Sequence, residues 1–115
     1  MKVLVFESNL MWSSRLVMSL GAFGHEAILL GPGKPWPEAQ AAIVNLGEAA
    51  YKPEELVPAL RAQGIKVLAH AGHKEKELIE LGRTIGCDRL ATNSELTNKL
   101  PALMDELGAM PPKSL

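Results

Sequence analysis

The side chains best able to do chemistry in this chain sit where apolar runs end. Glu7 and Ser8 follow "VLVF", Asn45 closes "AAIVN", His70 closes "KVLAH" and Asn93 comes just after "RLA". A carboxylate, a hydroxyl, an imidazole and two carboxamides could together line a crevice for a small molecule or nucleotide. His70 and His73 form an H-x-x-H pair that, with Glu7 as third ligand, could hold a metal ion. In a loop that spacing fixes no geometry, so the histidines read as polar loop residues, and neither metal nor cofactor is expected. No base stands beside a nucleophile, so no catalytic residue is assigned and the chain is not read as an enzyme. "GPGKP", residues 31 to 35, is rich in glycine but lacks the G-x-x-x-x-G-K-[ST] pattern that wraps phosphate.

These residues need a scaffold, and the apolar pattern supplies one. Five short runs, "VLVF" (3–6), "AILL" (27–30), "AAIVNL" (41–46), "KVLAH" (66–70) and "RLA" (89–91), are continuous rather than alternating. Strands of a parallel sheet covered on both faces look like this, because neither side meets water. Helical spacing fills most gaps between them. The first helix runs from about Leu10 to Phe23, with Trp12, Leu16, Leu20 and Phe23 as its stripe and Gly24 as its stop. Pro53, Glu54 and Glu55 open another over residues 53 to 63, with Pro58 a potential kink. A further helix spans about His73 to Ile85, and a last stripe is formed by Leu96, Leu100, Leu103, Met104 and Leu107. Pro101 lacks an amide donor, so the regular part of that last helix should begin there, after a looser turn. "GPGKPWPEAQ" is the exception: three prolines and two glycines in ten residues permit a loop and at most a helical stub after Pro37.

Alternating strands and crossovers give an α/β fold, a three-layer doubly wound parallel sheet, whose ligands gather at the carboxyl ends of the strands. The polar residues named above fall at those ends. The 115 residues suit one domain, residues 1–109, with "MPPKSL" at 110–115 as a frayed tail. Apolar residues make up 47% and charged ones 22%, as in ordinary soluble domains. Twelve basic against thirteen acidic side chains give a charge of −1 without a basic cluster, which excludes electrostatically driven nucleic-acid binding. The N-terminal run is too short for a signal-peptide core or a membrane span. The single cysteine, Cys87, forms no intrachain disulfide and reads as a small core hydrophobe in a cytoplasmic protein.

At the level of element order the chain resembles a response-regulator receiver domain, the CheY-like family with flavodoxin-like topology and strand order 2-1-3-4-5. The resemblance covers residues 2 to about 108. It rests on "KVLVFES", on "SLGAFGHEAILL", and most of all on "LGRTIGCDRLATNSEL", similar to the family's "ALEAGADDYLTKPF". Active receivers hold Mg²⁺ with an acidic pair after the first strand and accept phosphate on an aspartate after the third. A hydroxyl residue after the fourth and a lysine after the fifth contact the phosphoryl oxygens. Carried over, the acidic pair falls on Glu7 and Ser8, the phosphoacceptor on Asn45, the hydroxyl on His70 and the lysine on Asn93, or on Thr92 with a one-residue slip. Four of the five positions have changed. Glu48, beyond Gly47, and Asp88, at the opposite edge, are poor substitutes for the acceptor.

The resemblance therefore implies a degenerate pseudo-receiver, a stand-alone signalling module that works by protein–protein interaction without phosphotransfer. Its partner, or a second copy, would use the face formed by the helix before the fifth strand, that strand and the last helix. Leu96 is a candidate contact there. Trp36, on the stiff proline-rich loop, is either an interface anchor or a lid over the core edge. The alternative function is a small-molecule or nucleotide sensor using the crevice of Glu7, Ser8, Asn45, His70 and Asn93. Flavodoxin-like and cobalamin-binding roles are disfavoured, since D-x-H-x-x-G and a Ser/Thr-rich phosphate loop are both missing.

Overall fold

A computed structural model describes residues 1–111 of the chain. Five strands, β1 (Lys2–Phe6), β2 (Glu26–Leu29), β3 (Ala41–Asn45), β4 (Lys66–Ala71) and β5 (Arg89–Thr92), form one sheet. All are parallel and their order is β2-β1-β3-β4-β5, the flavodoxin-like order expected. Five helices accompany them: α1 (Leu10–Ala22), α2 (Pro53–Ala62), α3 (Lys76–Thr84), α4 (Asn93–Asn98) and α5 (Leu100–Ala109). A 3₁₀ turn at Ala49–Tyr51 precedes α2. The remaining tail, residues 112–115, lies outside the described residues.

Strand periodicity divides the core into layers. Val3, Val5, Ala41, Ile43, Leu68 and Ala91 point to one face, where Leu16 and Leu20 of α1, Leu96 of α4 and the α5 leucines cover them. Leu4, Phe6, Ala42, Val44 and Val67 point to the other, under Val57 and Leu60 of α2, while α3 covers Leu46, Ala69 and Ala71. β1, β3 and β4 are thus buried on both sides, as their continuous apolar runs require. β2 is the exception, with Glu26 and Leu29 exposed. It lies at the edge of the sheet, and the crossover that follows it contains no helix.

That crossover corrects one expectation. No stub forms after Pro37, because only Glu38, Ala39 and Gln40 separate it from β3, fewer than one 3.6-residue α-helical turn, and Gln40 N–H already donates to Lys2 O. The last helix also differs, being two. A capping box at Thr92 and Glu95 makes the region before Pro101 a true helix, α4, rather than a looser turn. The chain then breaks at Lys99, and Pro101 sits in the first turn of α5, where its missing amide costs nothing. α3 starts at Lys76 rather than His73, after a turn in which Glu75 accepts from Gly72 N–H. In α1 the buried stripe is Ser13, Leu16 and Leu20; Phe23, past the helix end, is 54% exposed. Pro58 lies within α2 without ending it. Met110 packs against the core and its carbonyl accepts from Lys66 Nζ. No helix among the described residues is long and apolar enough to cross a membrane.

Candidate functional site

At the carboxyl ends of β1, β3, β4 and β5 the sheet closes over a connected polar chain. Asn9 caps α1 by accepting from Met11 and Trp12 N–H at 3.1 and 3.2 Å, which fixes the loop holding Glu7 and Ser8. Asn45 is the last residue of β3, beside His70 in β4. Its Nδ2 donates to both carboxyl oxygens of Glu7, at 2.9 and 3.2 Å, while its Oδ1 accepts from Gly47 N–H at 2.9 Å. An N–H needs an acceptor and a carboxyl oxygen facing two contacts needs a donor, so the partners fix the amide's orientation. His70 follows: its Nδ1 meets Asn93 Oδ1 at 2.7 Å, which makes Nδ1 the donor in the neutral ring. The other ring nitrogen, Nε2, has no hydrogen-bond partner and lies 4.0 Å from Glu7 Oε1.

The structure brings Glu7, Asn45, His70 and Asn93 together, whereas Ser8 joins them only through Glu48, which hydrogen-bonds both Glu7 and Ser8. Ser8 turns outward, and its Oγ donates to Glu48 Oε1 at 2.7 Å while its N–H donates to Glu48 Oε2 at 2.9 Å. Glu48, set aside on sequence grounds, is the residue missed. Gly47 carries the chain round so that Glu48 returns over the top of β1, a reversal that the neighbouring glycine signals but does not aim.

The electrostatics follow from burial. Glu7 and His70 are each 1% exposed. Burial, and then the hydrogen bond and charge of Glu48, push the Glu7 carboxyl up to about 7, against the pull of Asn45 and Asn9 N–H. Burial also acts to raise Glu48, but hydrogen bonds from Glu7, Ser8 and Asn9 outweigh it and hold Glu48 below the usual carboxylate range. Of the two carboxyls, Glu7 is thus the one that keeps its proton to higher pH and Glu48 the one that ionises first. Burial pulls the His70 imidazole down, against the Asn93 hydrogen bond and the charge of Glu48, which favours the neutral ring and disfavours an ion pair with Glu7.

Chemically the site is closed on itself. An amide committed as a donor is no nucleophile, and the buried Glu7 carboxyl is taken up by that amide. A divalent cation does not fit these residues: the group facing Glu7 is the Asn45 NH₂, and Ser8 offers a donor to Glu48 where a cation needs oxygen lone pairs. His73 is exposed, and among the described residues no three His, Cys, Asp or Glu side chains cluster as metal ligands. The two suggested interface residues fare differently. Leu96 is fully buried and offers nothing to a partner, because the capping box turns that side of α4 into the core. Trp36 folds over the core edge, partly buried, edge-on to Phe6 at 6.0 Å and donating from Nε1 to Gln63 at 3.0 Å.

No family model matches this sequence, and no curated protein is similar to it. Solved structures are similar in shape. The receiver domain of Francisella response regulator 1452 superposes with a TM-score of 0.76 at 17% identity, covering 92% of this chain and 94% of that one. The chemotaxis response regulator CheY4 of Vibrio cholerae gives 0.78 at 16%, covering 92% and 97%. A response regulator receiver protein from Burkholderia phymatum gives 0.77 at 14%, covering 97% and 98%. The chain has the receiver-domain fold. At such identities the likeness extends to the path of the backbone over nearly the full length of both chains, and the receiver fold places Glu7, Asn45, His70 and Asn93 at its strand ends.

Proposed function

We propose that this receiver-like chain works in signalling as a non-enzymatic module that binds a protein partner and takes no phosphoryl group. The observation that carries this is the Asn45 amide. It ends β3, where a receiver would present its acceptor aspartate, and it is occupied as a donor to both oxygens of the buried Glu7 carboxyl. The test is incubation with acetyl phosphate and Mg²⁺ followed by intact mass measurement. The expected result is an unmodified chain; a stoichiometric acyl phosphate overturns the proposal.

The partner face proposed from the receiver likeness is α3, β5 and α5, for a second copy or another protein. Its support is that β5 is a free sheet edge, with Arg89 joined to Glu106 of α5 at 2.8 Å and to Glu95 at 4.0 Å. A second surface is favoured by a different observation. The large exposed apolar side chains, Leu10, Met11, Met18, Phe23 and Leu29, lie on or beside α1 and the β2 edge. Sedimentation of Arg89→Glu and Met18→Glu separates the two in any self-association, since each disrupts one face. A sensor acting at the strand ends is the weaker reading, because Glu7 and His70 are closed off from solvent.

A further inference from the structure

We infer a second site, away from the strand ends, for a small ligand with a flat apolar ring and one carboxylate or phosphate. It is the cleft left where the crossover between β2 and β3 has no helix. The cleft is open to solvent and has a volume of about 500 Å³, within the range of small-molecule pockets. Phe6 and Tyr51, 2% and 6% exposed, form its floor, and Trp36 forms a wall. Lys34 and Lys52 stand exposed at its mouth, with Glu55 as the acidic lining residue.

Three features mark this as a built site. Its aromatic rings are held before any ligand arrives. Phe6 meets Trp36 and Tyr51 edge-to-face at 6.0 and 5.8 Å, Tyr51 Oη donates to Leu30 O at 2.6 Å, and Trp36 Nε1 is tied to Gln63. A preorganised apolar surface loses little entropy on binding a ring. Its cations are unspent, since neither Lys34 nor Lys52 has an ion-pair partner among the described residues. Two lysines against one glutamate select an anion by charge. Finally, Lys52 has φ of +50°, the sole non-glycine residue with positive φ among those described. Glycine takes that conformation more freely than lysine, and here the conformation joins the 3₁₀ turn to α2 and fixes the backbone from which the Lys52 side chain leaves.

The test uses the intact chain labelled with ¹⁵N and titrated with 2-naphthoate, 2-naphthyl phosphate, inorganic phosphate and 2-naphthalenemethanol. Each naphthalene supplies the same ring with a different head, and the two anionic heads distinguish carboxylate from phosphate recognition. Saturable shifts are expected for the Trp36 indole N–H and the Gly33 and Lys52 amides with at least one naphthyl anion, while the Trp12 indole N–H on α1 stays in place. The alcohol and inorganic phosphate should bind about tenfold more weakly, the loss expected for a charge-assisted contact or for the ring. Lys52→Gly removes the cation and relieves the backbone, so it should weaken the anion about tenfold while Tm holds or rises. Shifts that do not saturate, equal binding of alcohol and anion, or undiminished binding by Lys52→Gly overturn the inference.

Discussion

The Asn45 carboxamide and the Glu7 carboxyl face each other with both Glu7 oxygens accepting from Asn45 Nδ2, at 2.9 and 3.2 Å. Asn45→Ala removes this donor and also frees Gly47 N–H. Leaving the buried Glu7 carboxyl without that partner should cost about 1–3 kcal/mol in urea unfolding. Asn45→Asp should cost more at pH 8 than at pH 5, because two facing carboxylates cannot both ionise cheaply and at low pH one of them is protonated. Equal costs at the two pH values would mean that the side chains do not face each other as described.

Stability should fall as pH rises from about 4.5 towards about 7, through Glu7. Its folded carboxyl is raised to about 7 from an ordinary 4.5, so the folded state holds a proton that the unfolded chain releases. That stabilisation is complete below the unfolded value and is lost as pH passes the folded one. Over this window it should amount to about 3 kcal/mol. Glu7→Gln cannot ionise, so the difference in Tm between it and the parent should grow from pH 5 to pH 8 in favour of the variant. Glu48, shifted downward, acts mainly below this window.

His70 should act with the opposite sign. Burial lowers its pKa in the folded state, so the unfolded chain takes up a proton first as pH falls through about 6.5. Stability is lost on that acid side. His70→Leu removes the titration together with the unpartnered Nε2, and Asn93 is exposed enough to find water. Relative to the parent, its Tm should be more favourable at pH 5 than at pH 7.5. A constant offset between the two would place no titration on His70.

Thr92 has a purely structural role that denaturation can check. Its Oγ1 accepts from Glu95 N–H at 3.1 Å, and Glu95 Oε1 accepts from Thr92 N–H at 3.1 Å. Thr92→Ala should cost about 1 kcal/mol, as lost caps do, while Thr92→Ser should keep most of it. An alanine variant as stable as the parent would show that packing of Leu96 alone holds α4.

Much of this architecture was legible before folding was considered. The apolar runs at residues 3–6, 41–46 and 66–70 identify double-faced strands because a strand's burial depends on its own side chains and their alternation. The second crossover was legible as helix-poor for the same local reason, three prolines in ten residues. α4 is harder to see, although the spacing of Thr92 and Glu95 is that of a capping box. The burial of Leu96 is not legible, because a stripe shows which residues share a face but not whether a neighbour covers it.

The sequence by itself determined the order of elements, the parallel sheet and the polar types that end its strands, since each depends on residues close together in the chain. The tertiary structure alone decided what those polar residues do. It brought Glu48 back over β1 to Ser8, turned the Asn45 amide onto Glu7 and left His70 Nε2 unpartnered, joining groups as much as 40 residues apart. Protonation and hydrogen-bond direction depend on burial and on such distant neighbours, and neither is written in the spacing of one segment.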